Sequence, residues 1–194
     1  MRYPMHHKRL TRERILKAAA AMFRRHGYAA SGVDAVMASA KLTAGAFYAH
    51  FRSKQVLLAK ALDAAFRQSR EDWPEELKSL RGRGWVRQFA FFYLSEGHRD
   101  AANRGCPMPS LTAEIGRSGE ATRKVFEQHL RGLVDTVAQQ VNATAPDRAH
   151  AISAIALSVG GLMLARTVKD RAFSNEILAA CRSALTEEYA AAEG

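Results

Sequence analysis

The stretch from Gly27 to Lys54 constrains the fold of this chain most strongly, because it predicts two short helices joined by a tight turn. Val33, Val36 and Met37 follow the i, i+3, i+4 spacing of one helical face. Thr43 can cap the second helix, since its hydroxyl can accept a hydrogen bond from a free amide of the first turn. Two helices in this arrangement predict a helix-turn-helix.

The second of these helices has one apolar face and one small face. Phe47 and Phe51 lie four residues apart, so they can face inward together. The remaining positions are mostly small: Ala44, Gly45, Ala46, Ala49 and His50. A helix with such a low outer face can enter a groove about 12 Å wide. In a helix-turn-helix it is the second helix that reads the major groove of DNA.

Positive charge is concentrated in the same part of the chain. The 194 residues contain 29 Lys and Arg against 19 Asp and Glu, a formal net charge of +10. Residues 1–60 hold 12 of the basic and 2 of the acidic residues, so the rest of the chain is balanced. Such asymmetry is typical of a module that binds a polyanion. Residues 1–10 predict a mobile basic arm that can follow a phosphate backbone, and a tail without specific contacts fits equally well.

Composition predicts an all-α protein. Alanine and other helix formers dominate, and Pro is rare. No uninterrupted apolar run approaches about 18 residues, and the first ten residues have no apolar segment, so we expect neither a membrane span nor a secretory signal. The two Cys are too few for a disulfide framework, which favours a reducing, cytoplasmic location.

The helix-turn-helix resembles that of the TetR family of bacterial transcriptional regulators. That family shows Gly-aromatic-x-x-Thr/Ser-x-Val, a short turn, and Leu/Phe-Tyr-x-His-Phe-x-Ser-Lys. The matching residues are Gly27, Tyr28, Ser31, Val33, Phe47, Tyr48, His50, Phe51, Ser53 and Lys54. The resemblance covers roughly residues 10–60. It implies a homodimeric repressor that binds a palindromic double-stranded DNA operator and is released by a small-molecule effector.

The resemblance also implies where the domains and the DNA contacts lie. Residues 1–53 would form the DNA-binding domain and residues 54–194 the effector-binding and dimerisation domain, with a helix over 54–72 connecting them. The predicted DNA contacts are Ser31, Lys41, Thr43, Ala44, Ala46, Tyr48, His50 and Lys54. Tyr48, His50 and Lys54 match family positions that bind phosphates, while Thr43, Ala44 and Ala46 are expected nearer the base edges.

Three positions depart from the family pattern. Lys41 stands where Gly is usual in the turn, and because a left-handed backbone is costly for Lys, the turn is expected to differ slightly. Ala44 and Ala46 stand where Lys or another polar residue, and Thr or Gly, are common. Both remove potential contacts, so the operator preference of other family members does not transfer.

Helical periodicity predicts nine helices in a TetR-like architecture, two of them in the motif. The others are predicted over residues 12–26, 54–72, 85–96, 110–115 and 120–141, from 145–147 onward, and over 175–191. Gly27 is expected to end the first of these and Ser53 to cap the helix that follows the motif.

An apolar effector pocket is the second predicted site. Its candidate residues are Trp85, Phe89, Phe92, Tyr93, Cys106, Met108, Phe126 and Met163. The same side chains also suit the core of a helical bundle, and the residues alone leave both possibilities open. The family resemblance implies a pocket in this half, for an unknown small apolar or electrophilic effector.

Cys106 is a candidate sensor of oxidants or electrophiles. It lies in Arg104-Gly105-Cys106-Pro107, a break that predicts the start of a helix. A helix N-terminus and a nearby Arg favour the reactive thiolate. Some TetR-like regulators with a Gly-Cys pair at the matching place respond to electrophiles, so the resemblance points the same way. The alternative is a small buried hydrophobic residue, a role that fits Cys181 better.

The last two predicted helices carry apolar stripes that favour a dimer interface. The candidate interface residues are Ile155, Val159, Leu162, Ile177, Cys181 and Leu185. Gly160 and Gly161 allow helices to approach closely, and two helices from each chain would form an isologous four-helix bundle. The alternative is that these stripes fill the core of one chain.

The sequence contains no P-loop, no GxGxxG, no HExxH and no paired-Cys zinc spacing. We therefore expect no enzyme, no cofactor and no metal site. The alternative function is a basic architectural protein that binds DNA without sequence choice.

Overall fold

The computed structural model describes residues 5–191, and all regular structure in that range is helical. The helices are α1 Met5–His26, α2 Val33–Ser39, a 3₁₀ helix Ala44–Ala49, α3 Lys54–Glu71, α4 Glu75–Ser79, α5 Gly82–Tyr93, α6 Glu96–Asp100, α7 Met108–Gly116, α8 Glu120–Val141, α9 Arg148–Thr167 and α10 Arg171–Ala191. The all-α prediction is confirmed. The predicted count of nine omitted α4 and α6, because helices of five residues are too short to show a periodic pattern.

The helices form two compact units. The first unit contains the described residues up to Glu71 together with Asn103–His129. The second contains Asp72–Ala102 and the described residues from Leu130 onward. Helix α8 therefore contributes its first half to one unit and its second half to the other. The first unit is larger than the predicted domain 1–53, and the functional division at residue 53 stays a prediction.

Helix α1 is the central helix of the first unit and packs mainly against α3. Ile15, Ala19 and Phe23 lie on one face of α1 and are fully buried. Because α1 begins at Met5, the described part of the predicted basic arm is helical, and α1 starts seven residues before the predicted boundary at residue 12. This prediction was wrong because nothing in residues 5–10 breaks a helix. The arm residues 1–4 lie outside the described range.

Two helix ends near the motif confirm their sequence signals. Gly27 takes a left-handed φ of 81° and its amide bonds the Phe23 carbonyl at 2.9 Å, so it ends α1 as a C-cap. Ser53 accepts a hydrogen bond from the amide of Val56 at 3.2 Å and thereby caps α3. Both caps rest on local chemistry, which is why the sequence alone predicts them.

The second unit is built on α5, α9 and α10, which pack together. Asp147 caps α9 by accepting the amides of Ala149 and His150 at 2.8 and 3.1 Å. Asp170 does the same for α10, accepting the amide of Ala172 at 2.7 Å. That cap explains why α10 starts at Arg171, four residues before the predicted boundary at 175.

Helix α9 bears on the prediction that the chain has no membrane span. By length and composition it is the one helix in the described range that is apolar enough to cross a membrane. Helix α9 contains no long uninterrupted apolar run, because Ser and Gly residues lie between its apolar residues. Core helices of helical bundles have the same composition, so this feature is weak evidence for a membrane span.

Candidate functional site

The turn of the helix-turn-helix is a left-handed turn made by a lysine. Lys41 has φ 56°, and no other non-glycine residue in the described range has a positive φ. The amide of Lys41 bonds the Ala38 carbonyl and the amide of Leu42 bonds the Met37 carbonyl, each at 2.9 Å. The chain therefore forms this turn without the glycine that would relieve it. Lys41 therefore adopts the left-handed backbone that is costly for a side chain, with a strain of about 1 kcal/mol.

The recognition segment, defined as residues 43–50, is a six-residue 3₁₀ helix with its two flanking residues. Phe47 and Phe51 are buried and stacked at 5.8 Å between ring centroids, as predicted. Tyr48, between them, is 75% exposed. Thr43 occupies the N-cap position, but its hydroxyl accepts no capping bond. The predicted cap is therefore wrong, and this hydroxyl stays on an exposed residue.

Two arginines of α1 hold the ends of both motif helices. Arg14 donates to the carbonyl of Ala40, which ends α2, at 2.7 Å. Arg12 donates to the carbonyl of His50, which ends the 3₁₀ helix, at 2.5 Å and lies over the Phe51 ring at 4.3 Å. These bonds satisfy carbonyls that short helices leave free. Part of the basic excess of this region therefore stabilises the motif itself.

The predicted DNA contacts differ in their exposure. Lys41, Thr43, Ala44 and Tyr48 are exposed, while Ala46, His50 and Lys54 are half-buried. Ser31 has no exposed surface, and its hydroxyl donates to the Gly27 carbonyl at 2.7 Å. The prediction that Ser31 contacts DNA is therefore corrected: it closes the turn between α1 and α2.

Neighbouring residues fix the position of the Lys54 side chain and lower the pKa of His50. The ammonium of Lys54 donates to the Tyr28 carbonyl at 2.6 Å and lies over the Tyr28 ring at 4.2 Å. Burial lowers the pKa of His50, and the positive charges of Lys8 and Arg12 lower it further. The lowered pKa favours the uncharged form of the His50 ring, whose Nδ1 is buried with no hydrogen-bond partner in the described structure.

Glu114 links α7 to the motif, a contact that the sequence reasoning missed. Its carboxylate accepts the amide of Tyr28 at 2.7 Å and the amide of Ala29 at 2.8 Å. These amides belong to the turn between α1 and α2. The same carboxylate lies 3.1 Å from the position that a Cβ on Gly27 would occupy. No sequence signal relates residues so far apart, because the contact depends on where α7 packs.

The predicted effector-pocket residues divide between the two units. In the second unit, Trp85, Phe89 and Tyr93 form a buried stack, with centroids 4.9 and 5.4 Å apart, and half-buried Phe92 stacks on His98. Met163 is 46% exposed and is corrected to a surface residue of α9.

The remaining pocket candidates, Cys106, Met108 and Phe126, lie in the first unit. Phe126 lines a cavity of about 630 Å³ with residues of α7 and α8, among them Ile115 and Lys124. Cys106 and Met108 are buried.

Cys106 lies two residues before Met108, the first residue of α7. Pro107 is the N-cap of α7 rather than its first residue. The side chain of Arg24 donates to the carbonyl of Gly105 at 2.9 Å. Cys106 itself is 6% exposed, which favours a packing role in the resting protein. Burial raises the pKa of the Cys181 thiol, so this thiol is less acidic than a cysteine thiol in water.

Of the residues predicted to form a dimer interface on α9 and α10, several are buried inside the chain. Ile155, Leu162 and Leu185 are buried in the chain's own core, so their predicted interface role is corrected. Cys181 faces α9, where a Cβ on Gly161 would lie 2.6 Å from its Sγ. Val159 and Ile177 are half-buried. Several apolar residues point outward, among them Ile152, Ala156, Met163 and Leu164 on α9 and Phe173, Ala180 and Ala184 on α10.

Between residues 5 and 191, no group of three or more His, Cys, Asp or Glu side chains could hold a metal ion. The fold and the exposed recognition segment together define a helix-turn-helix DNA-binding protein.

Comparisons with known proteins agree with this class. Residues 15–61 match the model of the "Bacterial regulatory proteins, tetR family". The HTH-type transcriptional repressor NemR of Escherichia coli K12 is 24% identical over 131 residues, which cover 66% of each chain. The aligned region is thus just under two thirds of the length of that relative.

Solved structures show the same fold. The reduced form of E. coli NemR has a TM-score of 0.74 at 21% identity and covers 90% of this chain and 94% of its own. A TetR regulator from Chloroflexus aurantiacus has a TM-score of 0.79 at 25% identity and covers 94% and 96%. Residues 15–61 thus match the tetR family, and the chain as a whole is similar in fold to solved TetR-family regulators. These proteins are regulators rather than enzymes.

Proposed function

We propose that this chain is a homodimeric repressor that binds a palindromic operator and releases it when a small effector binds. One observation carries the DNA-binding part of the proposal. Thr43, Ala44 and Tyr48 form an exposed edge of the recognition segment, supported from behind by two buried phenylalanines and by Arg12 and Arg14. A rigidly supported, low edge suits insertion into a major groove.

The DNA contacts can be tested with variants of exposed and charged residues. Tyr48→Phe removes one exposed hydroxyl and should weaken all DNA sequences by a similar, several-fold factor, because phosphate contacts carry no sequence information. Lys54→Ala should also reduce the slope of log affinity against log salt by about one ion. Arg87→Ala, an exposed arginine of the second unit, is the charge-matched control. Unchanged affinity and slope in Lys54→Ala would contradict the assignment.

Sequence choice separates a repressor from an architectural protein. Selection of bound sites from random DNA should return a palindrome whose half-sites lie about 34 Å apart or a multiple of that. The selected site should then compete far better than random DNA of the same length. Equal competition at every salt concentration would favour the architectural alternative.

The outward face of α9 and α10 supports the dimer. Ile152, Met163 and Phe173 are each about half exposed, although large apolar residues are seldom clustered on the surface of a monomer. Their helical spacing aligns Ile152 with Ala156, Val159 and Met163, and Phe173 with Ile177, Ala180 and Ala184. Two copies of this face would form an isologous four-helix contact.

The dimer can be broken without disturbing the fold. Because Met163 and Phe173 are on the surface, Met163→Glu with Phe173→Glu should yield a folded monomer with weakened operator binding. Leu80→Glu, which changes an exposed leucine elsewhere, should remain a dimer. Light scattering at micromolar concentration measures the outcome, and a monomeric unmodified protein would refute the proposal.

An electrophile at Cys106 is one route by which an effector could act. Cys106 lies two residues before α7, and α7 carries the Glu114 carboxylate that accepts hydrogen bonds from the Tyr28 and Ala29 amides. An adduct on this buried thiol would displace the start of α7 and thereby weaken its hold on the motif. An effector lowers operator affinity only by its differential affinity for the two states.

The thiol route is tested by operator release. Treatment with a quinone should release DNA from the unmodified protein but not from Cys106→Ser. Cys181→Ser is the matched control and should respond like the unmodified protein. Equal release from all three proteins, or release from none, would remove the sensor role and leave a reversible apolar effector.

A further inference from the structure

A cavity of about 760 Å³ lies entirely within the first unit. Its walls come from α3, from the turn between α1 and α2, and from the end of α7 with the start of α8. Its lining includes Val56, Leu58, Lys60, Glu114, Arg117 and Ala121. Binding sites for small organic molecules commonly have about this volume. None of the predicted effector-pocket residues lines it.

One part of the cavity wall is apolar. Leu58 and Ala59 of α3 are buried, with 2% and 9% exposure, and both contribute to the wall. Val56, which is 41% exposed, and Ala121 and Val125 of α8 add further apolar surface. This surface can bury the hydrocarbon part of a ligand, at a gain that grows with the apolar area removed from water.

Some charged side chains of the cavity wall have hydrogen-bond or ion-pair partners within the described protein, and others have none. Asp63 accepts from Arg67 at 3.0 Å and from His129 at 2.9 Å. The Glu114 carboxylate accepts the two turn amides already described. Both carboxylates of the wall are therefore occupied, as is Arg67.

Two cations of the wall remain uncommitted. In the part of the chain that the structure describes, the side chains of Lys60 and Arg117 form no ion pair and no hydrogen bond. Lys60 belongs to α3, and Arg117 follows the end of α7, so the two cations come from different segments. A carboxylate or sulfonate would supply the counter-charge that this wall lacks.

We propose that this cavity is a binding site for an amphipathic organic anion, such as a medium-chain carboxylate. The anionic head pairs with Lys60 and Arg117, and the hydrocarbon body lies against Val56, Leu58 and Ala121. The binding itself does not depend on the proposed function. Glu114, whose carboxylate accepts the Tyr28 and Ala29 amides, is also part of the cavity wall, so a bound ligand would disturb these hydrogen bonds. An effect of the ligand on operator binding through this contact rests on the proposed function.

Isothermal titration of the full-length protein with sodium decanoate, below its micelle concentration and without DNA, tests the site. Lys60→Met with Arg117→Met should lower the decanoate affinity at least tenfold. Arg87→Met with Lys169→Met removes two exposed cations of the second unit and should leave the affinity unchanged. Ala121→Trp, at an exposed position of the wall, should fill the cavity and abolish binding, while circular dichroism shows that the helices are retained.

Three results would overturn the proposal. They are no binding of decanoate to the unmodified protein, equal loss of affinity in both double variants, and equal binding of decyltrimethylammonium. The last result would show that the apolar wall acts without recognition of charge. Because DNA is absent, failure here is distinguishable from failure of operator binding. If both hold, operator DNA and decanoate must change one another's affinity by the same factor.

Discussion

The two units of the molecule use their polar side chains in different ways. In the first unit, side chains bond mainly to backbone groups of distant segments: Arg12 and Arg14 to helix-ending carbonyls, Arg24 to Gly105, Lys54 to Tyr28, and Glu114 to two amides. Each bond joins parts of the chain that are at least 26 residues apart. These side chains therefore act as tertiary links.

In the second unit the main polar cluster consists of side chains that bond one another. Arg99, with a side chain 3% exposed, donates to Asp100 at 2.8 Å and to Ser174 at 3.0 Å. It also bonds Glu96 and Asn175. The hydrogen bonds from Arg99 and Arg171 hold the pKa of Asp100 far below its usual value. The aromatic side chains of Trp85, Phe89 and Tyr93 are buried in the same unit.

Helix length explains this difference. The helices α2 and Ala44–Ala49 have seven and six residues, so most of their backbone groups lie at an end and lack a partner inside the helix. Helices α9 and α10 have 20 and 21 residues and satisfy most of their own backbone. Short reading helices consequently need side chains from elsewhere in the chain. In the second unit Arg166 of α9 and Arg182 of α10 also donate to distant carbonyls, those of His98 and Leu94, in addition to the Arg99 cluster.

The largest effect is expected at Arg99. Arg99→Met removes a buried cation from four partners and should lower the free energy of unfolding by about 3 kcal/mol. Both tryptophans, Trp73 and Trp85, lie in the second unit, so tryptophan fluorescence in urea reports this loss. Arg171→Met, at a side chain 65% exposed, should cost less than about 1 kcal/mol. Equal losses in both variants would contradict a buried cluster.

Acid should weaken the second unit next. Burial lowers the pKa of His98 from 6.5 to about 4; Arg166 lowers it too, although the bond from Nδ1 to the Tyr93 carbonyl opposes the shift. Because the folded pKa is the lower one, the stabilisation is complete above pH 6.5 and is lost as pH falls from 6.5 towards 4. We expect a loss of roughly 1–2 kcal/mol between pH 7 and pH 5.

His98→Gln removes the titrating group and should flatten this pH dependence. Thermal unfolding followed by tryptophan fluorescence at several pH values makes the comparison. A curve with the same slope in both proteins would assign the acid sensitivity to other groups.

A smaller effect is expected in the first unit at Glu114. Glu114→Ala leaves the Tyr28 and Ala29 amides without their acceptor, but water can reach exposed Ala29, so the loss should be about 1–2 kcal/mol. Hydrogen exchange at these two amides should accelerate while the tryptophan transition stays in place. Glu120→Ala, at an exposed glutamate of α8, is the matched control, and unchanged exchange in Glu114→Ala would deny the link.

The smallest effect concerns the strained turn. Lys41→Gly should stabilise the first unit by up to about 1 kcal/mol, because glycine adopts a left-handed backbone without strain but loses more entropy on folding. Lys41→Ala keeps the strain and should bring no such gain. Hydrogen exchange of the motif amides measures both variants, and a glycine variant no more stable than the alanine variant would show that the turn is unstrained.

The sequence by itself determined features that depend on neighbouring residues. The burial of Phe47 and Phe51, the caps at Gly27 and Ser53, and the bounds of α8 were predicted and are confirmed. Each follows from helical spacing or from a bond to a backbone group a few residues away, so the information is local. The family match at residues 15–61 rests on the same local pattern.

Only the tertiary structure decided which apolar and polar residues meet. An apolar stripe states that a face is buried but not what covers it, so Ile155 and Leu162 could not be told from Ile152 and Met163 before the packing of α9 was known. Glu114 reaches Tyr28 across 86 positions, and Ser31 turns inward to the Gly27 carbonyl. Such choices depend on the relative placement of whole helices, which periodicity within one helix does not encode.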